Sequence, residues 1–340
     1  MGHVNIALFV PHLGCPQQCS FCEQNTITGQ NHTPPPTPRD VLSAAQTAAK
    51  SLGPCCSQAE IAFFGGSFTA IDPGYMLALL DAAKAAVDRY GFFGVRCSTR
   101  PDAIDEGTLG LLKERGVTAI ELGAQSMDNG VLYANRRGHT AEATRQAAFL
   151  IKKMGFELGL QMMTGLYASS PEKDLSTAQE LIALGPATVR IYPTLVLPGT
   201  CLAELCGRGL YAPQTLEEAV DLCAQLLELF RGAGVRVIRL GLHPGPELER
   251  RVLAGPYHPA LGQLVESRIF LGRLLKSLPG PGSYQVAVHP RDLSTALGQR
   301  RGNLAALAER GYSVAFVQSP DTARGEFYWE EAYGTKADHH

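Results

Sequence analysis

The 340-residue chain has almost no net charge: 30 Lys and Arg stand against 32 Asp and Glu, a balance of −2. That balance excludes a broadly polycationic surface and an acidic solvating tract, so any basic patch must be local. No apolar run approaches the ~20 residues that a membrane span needs, and no membrane association is expected. The first apolar stretch has no Lys or Arg ahead of it, which a secretory leader would carry. Cysteine is sparse and odd in number, nine in all, which does not suit a disulfide scaffold. Cys55, Cys56, Cys97, Cys201 and Cys223 sit among apolar neighbours, so the expected compartment is a reducing cytoplasm. What the chain does have is apolar residue, 45% against 18% charged, enough to exclude a disordered chain and to fill a large core.

Short β-branched and aromatic runs alternate with patterns of three- and four-residue apolar spacing. They predict strands over Val4–Val10, Glu60–Phe64, Gly94–Ser98, Thr118–Leu122, Glu157–Met162, Thr188–Tyr192 and Arg236–Leu240, with helices between them. Strict alternation of this kind requires parallel pairing through right-handed crossovers. Six or seven such units predict an α/β fold, a full or partial (βα) barrel over residues 1–278. Pro279-Gly280-Pro281-Gly282 is a turn-rich joint. Beyond it a strand (Tyr284–Val288), a helix (Leu293–Arg310), a strand (Tyr312–Gln318) and a last strand near Glu326–Trp329 predict a small α+β extension over 283–335.

The first predicted strand runs into Cys15, Cys19 and Cys22, spaced C-x3-C-x2-C. Three thiolates on one loop can each hold a different iron of a [4Fe–4S] cube, leaving the fourth iron open to a small molecule. Phe21 can pack beside whatever binds there. The alternatives are a zinc loop completed by His12 or His32, or three unligated thiols. The loop follows the C-terminal end of a barrel strand, where such folds carry their chemistry, and that position favours the cluster.

The C-x3-C-x-aromatic-C pattern resembles the radical S-adenosylmethionine superfamily. Across the barrel, the finer resemblance is to the radical domain of Elongator protein 3. It is carried by Phe63-Phe64-Gly65-Gly66-Ser67-Phe68-Thr69, Ser98-Thr99-Arg100-Pro101-Asp102, Glu121-Leu122-Gly123-Ala124-Gln125-Ser126, Arg137-Gly138-His139-Thr140, Met162-Met163-Thr164-Gly165-Leu166 and Arg190-Ile191-Tyr192-Pro193-Thr194-Leu195-Val196. The resemblance implies a [4Fe–4S] cluster whose open iron chelates S-adenosylmethionine, an external one-electron reductant, and cleavage to methionine and a 5′-deoxyadenosyl radical. It also implies cofactor contacts from Phe21, Gly65, Gly66, Ser67 and Thr99, from Gln125 and Gln161 toward the ribose, and from Arg137 toward the cofactor carboxylate. Gly65 and Gly66 can also form a tight turn into the next helix, with their strand-end position favouring cofactor contact, and Arg136 competes with Arg137. His139, Tyr192 and Arg190 are candidates on the substrate side.

In the extension, Gly298-Gln299-Arg300-Arg301-Gly302 is similar to the backbone-gripping Gly-x-x-Gly loop of KH domains, with the glycines one residue too far apart. Arg300 and Arg301 offer donors and charge for phosphate. The resemblance to Elongator protein 3 implies attachment of a carboxymethyl-type group at C5 of a tRNA wobble uridine. The residues after the joint are too few for the acetyltransferase domain that follows the barrel there, so a partner supplying acetyl-CoA or a different substrate is expected. The alternatives are a radical enzyme acting on a small molecule such as a porphyrinogen, and a non-catalytic iron–sulfur or RNA-binding protein.

Overall fold

A computed structural model describes residues 4–10, 13, 15, 19–23 and 34–332 of the protein. Seven parallel strands pair in sequence order: β1 (Val4–Val10), β2 (Ala59–Gly65), β3 (Gly94–Thr99), β4 (Val117–Gln125), β5 (Glu157–Thr164), β6 (Thr188–Pro193) and β7 (Arg236–Leu240). The connections hold α1 (Pro38–Leu52), α2 (Pro73–Tyr90), α3 (Glu106–Glu114), α4 (Asn129–Ala134), α5 (Ala141–Lys153), α6 (Pro171–Ala183), α7 (Cys201–Gly207) and α8 (Leu216–Gly232). Among the described residues β7 does not pair with β1, so the sheet is open and the fold is a partial barrel.

Local chemistry sets the ends of these elements. Asp72 accepts the Tyr75 N–H at 2.8 Å to start α2, and Gly91, in the left-handed region at φ 69°, stops it. Thr215 and Glu218 close a capping box that starts α8. Ile61, Phe63, Ile120 and Leu122 on the sheet and Leu79, Leu80, Leu109 and Leu112 on the helices are fully buried. Burial of each such side chain stabilises the fold by about 2 kcal/mol.

Strand side chains alternate between two faces. On one face Ala7, Phe9, Arg96, Ser98, Gln161 and Arg190 point into a single cavity that residues of all seven strands line. The sheet therefore curls around that cavity. Several strands run beyond their expected ends, β4 to Gln125 and β5 to Thr164, because polar residues at the rim interrupt the apolar pattern.

The described residues up to Ala219, with Leu226–Tyr257, form one compact unit; Val220–Gln225 and the residues from His258 onward form a second. The division thus falls ahead of α10 (Leu261–Ser277), which follows α9 (Pro246–Arg251), and not at the expected Leu278. The reason is packing: Phe270, Leu271 and Leu274 of α10 share a core with Val286, Val288 and Leu307. In this second unit β8 (Ser283–Val288) pairs parallel with β9 (Ser313–Gln318) and antiparallel with β10 (Phe327–Glu331). The single helix expected over Leu293–Arg310 is broken into α11 (Leu293–Leu297) and α12 (Gly302–Glu309). Gly298, Arg300 and Arg301 take φ of 73°, 50° and 61°, a left-handed conformation that cannot continue a right-handed helix. Among the described residues no helix is long and apolar enough to cross a membrane.

Candidate active site at the C-terminal rim of the sheet

Beyond the C-terminal end of β1, Cys19 is buried and Cys15 and Cys22 are partly exposed, and none of the three is in a disulfide. The segment from Cys19 to Cys22 is pinned from outside itself. The Ser20 N–H and hydroxyl donate to the Asn135 carbonyl and side-chain oxygens at 3.1 and 2.7 Å, and Ser20 accepts the Leu202 N–H at 2.8 Å. Arg137 Nη1 donates to Cys19 Sγ at 3.1 Å and Nη2 to the Gly123 carbonyl at 2.6 Å. Phe21 packs on Val196, Leu202 and Tyr211 and borders the cavity. Among the described residues no three Cys, His, Asp or Glu side chains converge as one bound metal ion requires. A cluster does not require that convergence, since each sulfur holds its own iron. His12 and His32 lie outside the described residues.

Gly65 ends β2 and Gly66 follows it, under the chain leaving β1. A Cβ on Gly66 would stand 2.2 Å from the Leu13 carbonyl oxygen, and one on Gly65 (φ 114°) 2.8 Å from that of Val10. The glycines therefore allow the cysteine-bearing segment to lie close against β2 while both still line the cavity. Next to them Thr99 Oγ1 is 2.9 Å from Ser67 Oγ and 2.6 Å from Thr69 Oγ1. Arg100 grips Asp102 with two hydrogen bonds at 2.9 and 2.8 Å. Burial pushes the Asp102 carboxyl up, but the Arg100 guanidinium outweighs it and holds the group below the usual carboxylate range.

Gln125 ends β4 at φ 65°, an uncommon conformation for a residue with a side chain, where the β4–β5 register shifts. Its side-chain oxygen is buried without a partner. So are Ser98 Oγ, Arg100 Nη1 and Arg137 Nε. All four residues line the same cavity of about 1290 Å³ as the three cysteines. Buried polar atoms without partners are costly, and here one acceptor, two guanidinium donors and a hydroxyl await a polar ligand beside three thiols. This donor set fits a cluster together with a small zwitterionic ligand.

Deeper in the cavity wall, Glu121 is the centre of a buried ionic network. Arg190 donates to its two carboxylate oxygens at 2.8 and 3.0 Å, and Gln161 Nε2 to one of them at 3.0 Å. Arg96 reaches Glu121 at 3.5 Å, Glu60 at 2.5 Å and Glu157 at 2.8 Å. Two residues expected to face ligand, Arg190 and Gln161, thus line the cavity while bonded to Glu121. Half-buried Tyr192 also lines it, its hydroxyl pKa raised by burial. His139 does not line the cavity: it is buried, with Nε2 3.3 Å from the Ala124 carbonyl oxygen and Nδ1 unpartnered. Burial, then the Arg137 charge, pushes its pKa down to about 4. Arg300 and Arg301 are exposed on the second unit. Cys201 and Cys206 lie in α7 as partly buried free thiols.

Glu121 and Arg96 escaped the list of candidate residues, as did Asn135. A signal existed for the first two: polar residues recur at even spacing in otherwise apolar strands, as in Arg96-x-Ser98 and Glu121-x3-Gln125.

The sequence pattern of the radical SAM superfamily matches residues 9–181, just over half of the chain, and that of the radical SAM C-terminal domain matches 186–270. The tRNA uridine(34) acetyltransferase of Dehalococcoides mccartyi (strain CBDB1) is 26% identical over 259 residues, 67% of this chain and 56% of that protein. Elongator complex protein 3 of Homo sapiens is 30% identical over 200 residues, 53% of this chain and 37% of that protein. The chain thus spans about half the length of the first relative and less of the second. An N-terminally truncated archaeal Elp3 from Methanocaldococcus infernus has the same fold, with a TM-score of 0.65 at 23% identity over 81% of this chain and 64% of that one.

Proposed function

The chain belongs to the radical S-adenosylmethionine superfamily of enzymes, and from that premise we propose that it modifies uridine 34 of tRNA, using a [4Fe–4S] cluster held by Cys15, Cys19 and Cys22. When bound, the cluster supplies an electron, received from an external reductant, that cleaves S-adenosylmethionine to methionine and a 5′-deoxyadenosyl radical. The protein's own residues bind and orient. Gln125 Oε1 accepts from ribose hydroxyls, and the free N–H groups of Arg137 Nε and Arg100 Nη1 face the carboxylate of the ligand. Arg137 offers its Nε N–H there, while one N–H of each of its other two nitrogens is committed to Cys19 and Gly123. Phe21 and the apolar residues packed on it keep water from that side of the site.

The observation that carries this reading is the set of unpartnered buried polar atoms in one cavity with three cysteines that form no disulfide. The choice of tRNA is supported by the relatives named for uridine 34. Exposed Arg300 and Arg301, which form no ion pair among the described residues, suit RNA phosphates. A cytoplasmic location follows from such a substrate. The test is mass spectrometry of nucleosides from bulk tRNA of cells with and without the gene. Loss of one modified uridine supports the reading, and an unchanged nucleoside profile contradicts it.

A further inference from the structure

Six arginines line the cavity, and four of them have carboxylates: Arg96, Arg100, Arg190 and Arg236. Of the other two, Arg137 spends its charge on Cys19. Arg239 has none to spend it on. Its Nε donates to the Gly241 carbonyl at 2.8 Å, and it forms no ion pair among the described residues. That leaves four N–H donors on Nη1 and Nη2 of a half-buried guanidinium.

The register of the sheet makes this arrangement unusual. The β6–β7 pairing shifts between Val189 and Arg190, so that Arg190 comes to lie opposite Arg239. The shift puts Arg239 on the cavity side although it is an odd number of residues from Arg236, which is also on that side. Like charges side by side on neighbouring strands destabilise a sheet. Glu121 neutralises Arg190 with two hydrogen bonds, and among the described residues no carboxylate does the same for Arg239. His243, just beyond β7, borders the same part of the cavity. Burial, and then the charges of Arg239 and Arg190, lower its pKa. Tyr192 is placed to feel both guanidiniums.

We propose that Arg239, with His243 and Tyr192 beside it, forms a subsite for an oxyanion group of the substrate, a phosphate diester or a carboxylate. An anion there would take two parallel hydrogen bonds from Nη1 and Nη2, since Nε is held by Gly241, and it would relieve the repulsion between the paired arginines. The inference rests on the cavity wall alone and stands whether or not the substrate is RNA.

The test uses the full, anaerobically reconstituted protein and saturation-transfer NMR with two probes, dimethyl phosphate and acetate. The expected result is saturable binding of one probe, weakened about tenfold in Arg239→Gln, the size of a lost charged hydrogen-bonded contact. Arg239→Lys keeps the charge and should retain part of the affinity, which separates loss of the anion site from a folding defect. Arg250→Gln, at an exposed arginine paired with Glu247, should bind as the wild type does. The stronger probe identifies the group as phosphate or carboxylate. Equal binding by wild type and Arg239→Gln, or no saturable binding of either probe, would overturn the proposal. So would an equal loss of S-adenosylmethionine affinity in Arg239→Gln, since the subsite would then serve the cofactor.

Discussion

Arg137 donates from Nη1 to Cys19 Sγ at 3.1 Å, so a guanidinium touches the buried cysteine of the triplet. Hydrogen bonds and positive charge at a cluster sulfur favour the reduced, more negative state. Arg137→Gln should therefore lower the midpoint potential of the reconstituted cluster by about 60 mV or more, one charged hydrogen bond expressed for a one-electron couple. Redox titration followed by EPR reads this directly. An unchanged potential at unchanged iron content would show that the contact does not persist in the loaded protein.

Gln125 separates binding from stability. A side chain in the left-handed region costs about 1 kcal/mol, and glycine loses a similar amount through the freedom of the unfolded chain. Gln125→Gly should thus unfold within about 1 kcal/mol of wild type. Its affinity for S-adenosylmethionine should fall by about tenfold through the lost Oε1 acceptor. Equilibrium dialysis and denaturant titration measure the two quantities; an undiminished affinity would remove Gln125 from the cofactor site.

Glu121 carries the opposite expectation. Removing its charge leaves Arg190 buried without its counter-ion and strips Arg96 of one of three carboxylates. Breaking a buried pair in this way costs about 3 kcal/mol. Glu121→Gln should lose that much in urea unfolding, whereas Glu247→Gln, at a surface pair, should lose less than about 1 kcal/mol.

His139 gives stability a pH dependence of definite sign. Its folded-state pKa, near 4, lies below the unfolded value of 6.5, so the native state holds the neutral ring. The associated stability is complete above the unfolded pKa and is lost as pH falls from there toward the folded one. Between about pH 7.5 and about pH 5 the wild type should lose about 2 kcal/mol more than His139→Gln. Parallel slopes for the two proteins would contradict the depressed pKa.

The parallel sheet was legible because short β-branched and aromatic runs alternate with stretches of helical periodicity from one end of it to the other. The C-terminal ends of its strands were not, since Gln125 and Thr164 break that pattern where the site begins. Helices α4, α7 and α9 are shorter than the ten or so residues over which helical periodicity shows. The cysteines, Gly65, Gly66, Ser67, Thr99, Gln125 and Arg137 were chosen by motif, and the structure gathers them around one cavity. The pairing of Arg190 and Gln161 with Glu121 was hidden because it depends on the register of three strands, which periodicity does not specify. The Arg190–Arg239 juxtaposition was hidden for the same reason, being created by a register shift.

The account depends most on what the three thiols hold. Anaerobically reconstituted protein, reduced and mixed with S-adenosylmethionine, should show a [4Fe–4S] signal by EPR whose shape changes when the cofactor is added. Chromatography with mass detection should show 5′-deoxyadenosine forming, and Cys15→Ala, Cys19→Ala and Cys22→Ala should each abolish both. Zinc in place of iron, or an intact cluster that never yields 5′-deoxyadenosine, would contradict it.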